Sequence, residues 1–162
     1  MRVESVRGAM AVDGLGTTLM HEHVFVLTPN AMQNYGHEWR LDEQDRGADA
    51  VRKLQGLKDA GGDSIVDPTV VAWPATFCGR SASTSRVDIN IIVATGLYTF
   101  DEIPHFFYYR GPGTILDGPE LMAEMFVNDI RHGIGGTEVR AAFLKRASRM
   151  SAASLMVETV SG

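Results

Sequence analysis

A single cysteine, Cys78, stands among the 162 residues. The chain therefore holds no internal disulfide and reads as a product of a reducing compartment, the cytoplasm. No apolar run approaches the roughly 18 residues that a membrane-spanning helix needs, so no membrane partner is expected. The opening residues, Met1 to Gly8, lack the apolar core of a signal peptide. Basic residues are also few: 15 Lys and Arg are scattered against 20 Asp and Glu, for a formal net charge of -5. That balance leaves no footprint for nucleic acid. Nor does any repeat of fixed period run through the chain. What is present is ordinary globular material, 44% hydrophobic and 22% charged, enough for one domain with a core.

Hydrophobic patterning divides the chain into alternating strands and helices. Residues 2–12 alternate weakly and suit a short hairpin over one end of the domain, closed off by a turn at Asp13-Gly14-Leu15-Gly16. A first buried strand is expected from about Thr18 to Val26, followed by a long loop over 28–42. Ala50, Val51, Leu54 and Leu57 recur at helical spacing, which predicts a helix from about Glu43 to Ala60, stopped by Gly61-Gly62. A second strand begins at Ser64-Ile65-Val66-Asp67 and runs towards Val71. Pro68 belongs near its end, because it has no N–H to donate. Asn90 to Thr95 is a third strand, stopped by Gly96. Its near-continuous apolar run suits a parallel strand covered on both faces.

Gly118-Pro119-Glu120 opens a second long helix, with Leu121, Met122, Met125, Phe126 and Ile130 on its inner face and Gly133 at its end. Val139 to Leu144 forms a fourth strand leading to Lys145. Strands that alternate with helices in this way imply an α/β fold with a parallel sheet. Two stretches break the pattern. Trp73 to Arg86 has no helical stripe where a helix is due, and 146–162 is rich in Ser, Ala and Met. An out-of-frame reading would produce such a local loss of pattern.

Leu19-Met20-His21-Glu22-His23-Val24-Phe25-Val26 is the richest segment in chemistry. Side chains two apart on a strand point the same way, so His21 and His23 are expected to leave one face and share one metal ion. Imidazole suits zinc and its transition-series neighbours. The plainer alternative is a strand end with two solvated histidines. Glu22 faces away and reads as structural. His37, His105 and His132 lack ligand spacing, and Asp67 could support a site from its strand end.

Four segments together resemble the phosphotriesterase family of the amidohydrolase superfamily, and within it the phosphotriesterase-like lactonases and parathion hydrolases. They are Gly16 to Phe25, Ile65-Val66-Asp67-Pro68-Thr69, Val93-Ala94-Thr95-Gly96-Leu97-Tyr98-Thr99, and Ile134 to Lys145. Phe107 to Thr114 also looks typical of the group. The resemblance implies a (β/α)8 TIM barrel with two divalent metals, usually zinc, at the C-terminal mouth. His21 and His23 match the first-strand ligands. Lys145 matches the fourth-strand lysine whose carbamate, made from carbon dioxide, bridges both metals. Without the resemblance, Lys145 would read as a strand-end surface charge.

Tyr98 matches an aromatic position that contacts substrate or bridging water, beside the alternative of a half-buried tyrosine after a strand. Phe106, Phe107, Tyr108 and Tyr109 either wall a hydrophobic substrate pocket or pack a loop onto the barrel. The substrate implied is a small organophosphate, lactone or ester, attacked by a metal-activated hydroxide.

A complete barrel of this class needs about 250 residues or more. The expected fold is therefore a truncated barrel of about four parallel strands in a single partial domain. The family's two further histidines and its aspartate, which also handles the nucleophile's proton, have no counterpart. Open sheet edges would follow, and a homodimer could in principle close them. Two readings stand: a metal-dependent hydrolase, and a catalytically inactive remnant with at most weak metal binding.

Overall fold

The computed structural model describes residues 1–25, 34–35, 43–70, 86–98 and 103–146. Most of the irregular stretch 73–86, the tail from 147 onward, Cys78 and His37 lie outside the described residues.

The chain opens with an antiparallel hairpin, β1 (Arg2–Ser5) and β2 (Gly8–Ala11), paired from Arg2 with Ala11 to Ser5 with Gly8. Four strands then build one parallel sheet in the order β3 (Thr18–Leu19), β4 (Ser64–Asp67), β5 (Asn90–Leu97) and β6 (Phe143–Arg146). The helices between them are α1 (Glu43–Asp59), a single turn α2 (His105–Tyr108) and α3 (Leu121–Arg131). Strand order follows chain order, as in one side of a β/α barrel. Among the described residues, no helix is long and apolar enough to cross a membrane.

Side-chain alternation divides the sheet into two faces. Ile65, Ile91 and Val93 point outward and pack with Leu54 of α1 and with Ile134, Val139 and Ala141 near the end of α3. Val66, Ile92 and Phe143 point the other way, where they line a cavity together with Val3 of the hairpin. The hairpin is tied to the sheet by the Val6 N–H, which donates to the Ile91 carbonyl at 2.9 Å. An ion pair of 2.7 Å joins Glu4 to Arg140.

Strand boundaries differ from expectation at four places. The first strand stops at Leu19. Leu19 pairs with Ile65, so a regular ladder would next bring the His21 N–H to the Val66 carbonyl. The Glu22 N–H occupies that place instead, at 3.0 Å. One extra residue has entered the strand, which is a β-bulge. The second strand ends at Asp67, just before Pro68. The third runs through Gly96 to Leu97, because Gly96, at φ 134°, pairs with Lys145. The fourth begins at Phe143 rather than Val139. Residues 139 and 141 bond elsewhere: the Val139 carbonyl accepts from Ile134, and the Ala141 N–H donates to the Asp129 carbonyl.

Helix α3 also departs from its hydrophobic pattern. Ile130 is exposed, and Asp129 is buried beside it. The Thr95 hydroxyl on β5 donates to Asp129 Oδ2 at 2.6 Å, which gives that carboxylate a partner inside. Burial raises the Asp129 pKa above its ordinary value, and the Thr95 hydrogen bond partly opposes the shift.

Candidate functional site

Parallel strands bring their C-terminal ends to one rim, and the chemistry-bearing residues gather there. His21 and His23 follow β3, Asp67 and Thr69 close β4, Tyr98 follows β5, and Lys145 sits within β6. Far apart in sequence, these positions share a rim because βα units repeat in one direction.

The two histidine rings lie 5.2 Å apart, centre to centre, nearly edge to face at 73°. Strict strand alternation is not what places them. Both lie beyond Leu19, and the bulge puts Met20 and His21 on the same cavity wall. That cavity has a volume of about 520 Å³, and its wall is mainly apolar, including Met20, Val66, Ile92 and Phe143. Lys145 also lines it, so residues from the two edges of the sheet share this one cavity. His23 faces a second cavity of about 320 Å³ between the end of β3 and α1, beside Glu22, Lys53 and Leu54. The expectation of a regular strand carrying both imidazoles is corrected accordingly: the strand ends at Leu19, and the two rings are neighbours in the segment beyond it.

Lys145 is half-buried, and its Nζ stands 4.9 Å from the centre of the Tyr98 ring. Such a contact lets the ring face balance part of the ammonium charge. Tyr98 is thus brought to Lys145, and His21 to the same cavity as Lys145.

Hydrogen bonds at the end of β4 reach His23. Its Nδ1 lies 2.6 Å from Thr69 Oγ1 and 3.7 Å from Asp67 Oδ1. The Asp67 side chain is fully buried. Its Oδ1 accepts from the Thr69 N–H at 2.9 Å and from the Thr69 hydroxyl at 2.5 Å. Its Oδ2 accepts from the Val24 N–H at 3.1 Å. The sequence placed Thr69 in the family-like segment Ile65 to Thr69 but gave it no role of its own; a hydroxyl two residues after an acidic strand end is a common turn pattern.

Other candidates fall elsewhere. Phe106, Tyr108 and Tyr109 are exposed, with Phe106 and Phe107 edge to face at 5.1 Å and Arg110 over the Phe106 ring at 4.5 Å. None of them lines the cavity that holds His21 and Lys145. His105 and His132 are exposed on α2 and at the end of α3. Among the described residues, no group of three or more His, Cys, Asp or Glu side chains is gathered as an ion would require.

Comparison with known proteins places this geometry in context. The model of the phosphotriesterase family matches residues 1–158. A phosphotriesterase homology protein of Mycobacterium tuberculosis is 45% identical over 146 residues, which are 90% of this chain and 44% of that protein. An aryldialkylphosphatase of Saccharolobus solfataricus is 31% identical over 134 residues, 83% of this chain and 40% of its own. The solved structure of the phosphotriesterase from Mycobacterium tuberculosis superposes with a TM-score of 0.79 at 44% identity, covering 91% of this chain and 45% of that one. The chain thus spans a little under half the length of these relatives, and its four parallel strands correspond to part of such a barrel. On sequence and fold together, it belongs to the phosphotriesterase family of hydrolases.

Proposed function

We propose that the chain carries part of the metal centre of a hydrolase that opens phosphotriesters, lactones or related small esters. His21, His23 and Lys145 would hold the divalent ion, zinc being an ion well suited to imidazole. The observation that carries this reading is that His21 and Lys145, from opposite edges of the sheet, line one cavity, with the His23 ring 5.2 Å from that of His21.

The donor chemistry fits such an ion. The His21 and His23 rings, 5.2 Å apart, are near enough for both imidazoles to serve one ion. Lys145 fits once its charge is reversed. An ammonium repels a cation, whereas a neutral amine adds carbon dioxide: an N–C bond forms at Nζ and one proton leaves to solvent. The resulting carbamate offers two oxygens and a negative charge. When bound, a divalent ion supplies polarisation of a phosphoryl or carbonyl oxygen and a water acidic enough to give hydroxide near neutral pH. The apolar wall of Met20, Val66, Ile92 and Phe143 would take the ester's apolar groups and limit water. Tyr98, packed on Lys145, would hold that side chain at the rim and face the substrate.

One observation favours a second reading, metal binding without turnover. The described donors are two imidazoles and an amine, with no His, Cys, Asp or Glu group of three. Titration of the chain with zinc, in the presence of a lactone and of a paraoxon-type triester, separates the two. Metal-dependent turnover that disappears in His21→Ala supports the hydrolase. Metal binding with no turnover supports the second reading, and no binding at all overturns both.

A further inference from the structure

The hydrogen bonds around Asp67 determine where the proton on His23 sits. Both Asp67 oxygens receive a backbone N–H, from Val24 on Oδ2 at 3.1 Å and from Thr69 on Oδ1 at 2.9 Å. A backbone N–H only donates, so both oxygens act as acceptors. The Thr69 hydroxyl, 2.5 Å from Oδ1, therefore gives its one proton to Asp67. Its oxygen is left to accept from its other neighbour, His23 Nδ1 at 2.6 Å. An accepting oxygen requires an N–H, so the proton of the neutral imidazole is on Nδ1 and Nε2 carries a free lone pair.

We infer that Asp67 and Thr69 form a hydrogen-bond relay that sets the tautomer and ring orientation of His23, presenting Nε2 as its donor atom, with Thr69 as the positioning residue. Asp67 acts at two points. Through Thr69 it holds Nδ1, and through the Val24 N–H it holds the backbone just after His23. The role of Nε2 as a ligand rests on the metal-centre reading above; the tautomer does not. Histidine ligands are commonly held through their second nitrogen in this way, and loss of such a partner weakens metal binding about 10–100-fold.

The test uses the full chain, labelled with nitrogen-15, and the variants Thr69→Val and Thr69→Ser. Two-bond proton–nitrogen spectra at pH 8 without metal read the His23 tautomer, and cobalt titration reads affinity. The relay predicts Nδ1–H in the parent chain and a mixture or Nε2–H in Thr69→Val, with Nδ1–H restored in Thr69→Ser. It also predicts cobalt binding about 10–100-fold weaker in Thr69→Val and recovered in Thr69→Ser. A proton on Nε2 in the parent chain, or a tautomer unmoved by Thr69→Val, overturns the relay. If Thr69→Val fails to fold, the parent spectrum still decides the tautomer. Cobalt binding unchanged in His23→Ala would overturn the metal reading separately and leave the tautomer result standing.

Discussion

Gly96 faces Lys145 across the β5–β6 ladder so closely that a Cβ on Gly96 would stand 1.9 Å from the Lys145 carbonyl oxygen. The contact explains why a glycine stands inside a buried strand. Gly96 holds φ 134°, a conformation that side chains resist, and it lets β6 approach near enough to set Lys145 over the cavity. Gly96→Ala should therefore strain the backbone by about 1–3 kcal/mol. Overpacking should add about 1–3 kcal/mol more. Urea denaturation measures the stability loss, and metal titration should show Lys145 displaced even where the variant folds.

A carbamate on Lys145 has its own signature. With carbon-13 bicarbonate, the chain plus zinc should show a carbamate carbon resonance that is absent in Lys145→Arg. Arginine keeps the positive charge and cannot add carbon dioxide under these conditions. A resonance that persists in the variant would place the carbamate on another amine.

Asp129 gives a pH dependence with a definite sign. Burial raises its pKa in the folded state above the unfolded value. Between those two values the folded chain binds more protons than the unfolded one, so stability falls as pH rises through that window. The contribution is fully present below the unfolded pKa and is lost above the folded one. Thr95→Val removes the hydroxyl that favours the charged form and should push the pKa higher, widening the window. Asp129→Asn should remove this component of the pH dependence. Denaturation midpoints of the parent and both variants from pH 3 to 7 check this, and a stability difference between the parent and Asp129→Asn that rises with pH would contradict the assignment.

Leu54 is the described α1 side chain in the main buried cluster, where it packs with Ile65 and Ile91 of the sheet. Leu54→Ala should cost about 2–5 kcal/mol, because the sheet beneath cannot follow the helix inward to fill the space. An exposed control on the same helix, Gln55→Ala, should change stability by about 0.5 kcal/mol or less.

Much of the fold is legible in the sequence. The helical stripe of Val51, Leu54 and Leu57, the apolar run from Ile91 to Ala94, and the order of the four parallel strands and two long helices survive in the structure. Boundaries were less readable. Gly96 looked like a stop signal because glycine alone weakens a strand; only its neighbour Lys145 shows that it is a point of close approach. Ile130 fitted the inner stripe of α3 by spacing, yet Asp129 holds that place because Thr95 satisfies it. The site was partly readable as well: His21, His23, Tyr98 and Lys145 all come to the C-terminal rim. Thr69 was not, since a hydroxyl becomes informative only when the atom it contacts is known.

The sequence by itself determined which segments form strands and helices, the direction in which they alternate, and which side chains carry imidazole, carboxylate and amine. Local patterns suffice for that, because the period of hydrophobic residues acts within a few neighbours. Tertiary structure alone decided the register: the bulge after Leu19, the placing of the neighbouring His21 and His23 rings beyond the strand, the position of His21 and Lys145 along one cavity, and the grip of Asp67 and Thr69 on one ring nitrogen. Each of these depends on backbone pairing between distant strands, where the shift of one residue redirects every side chain that follows.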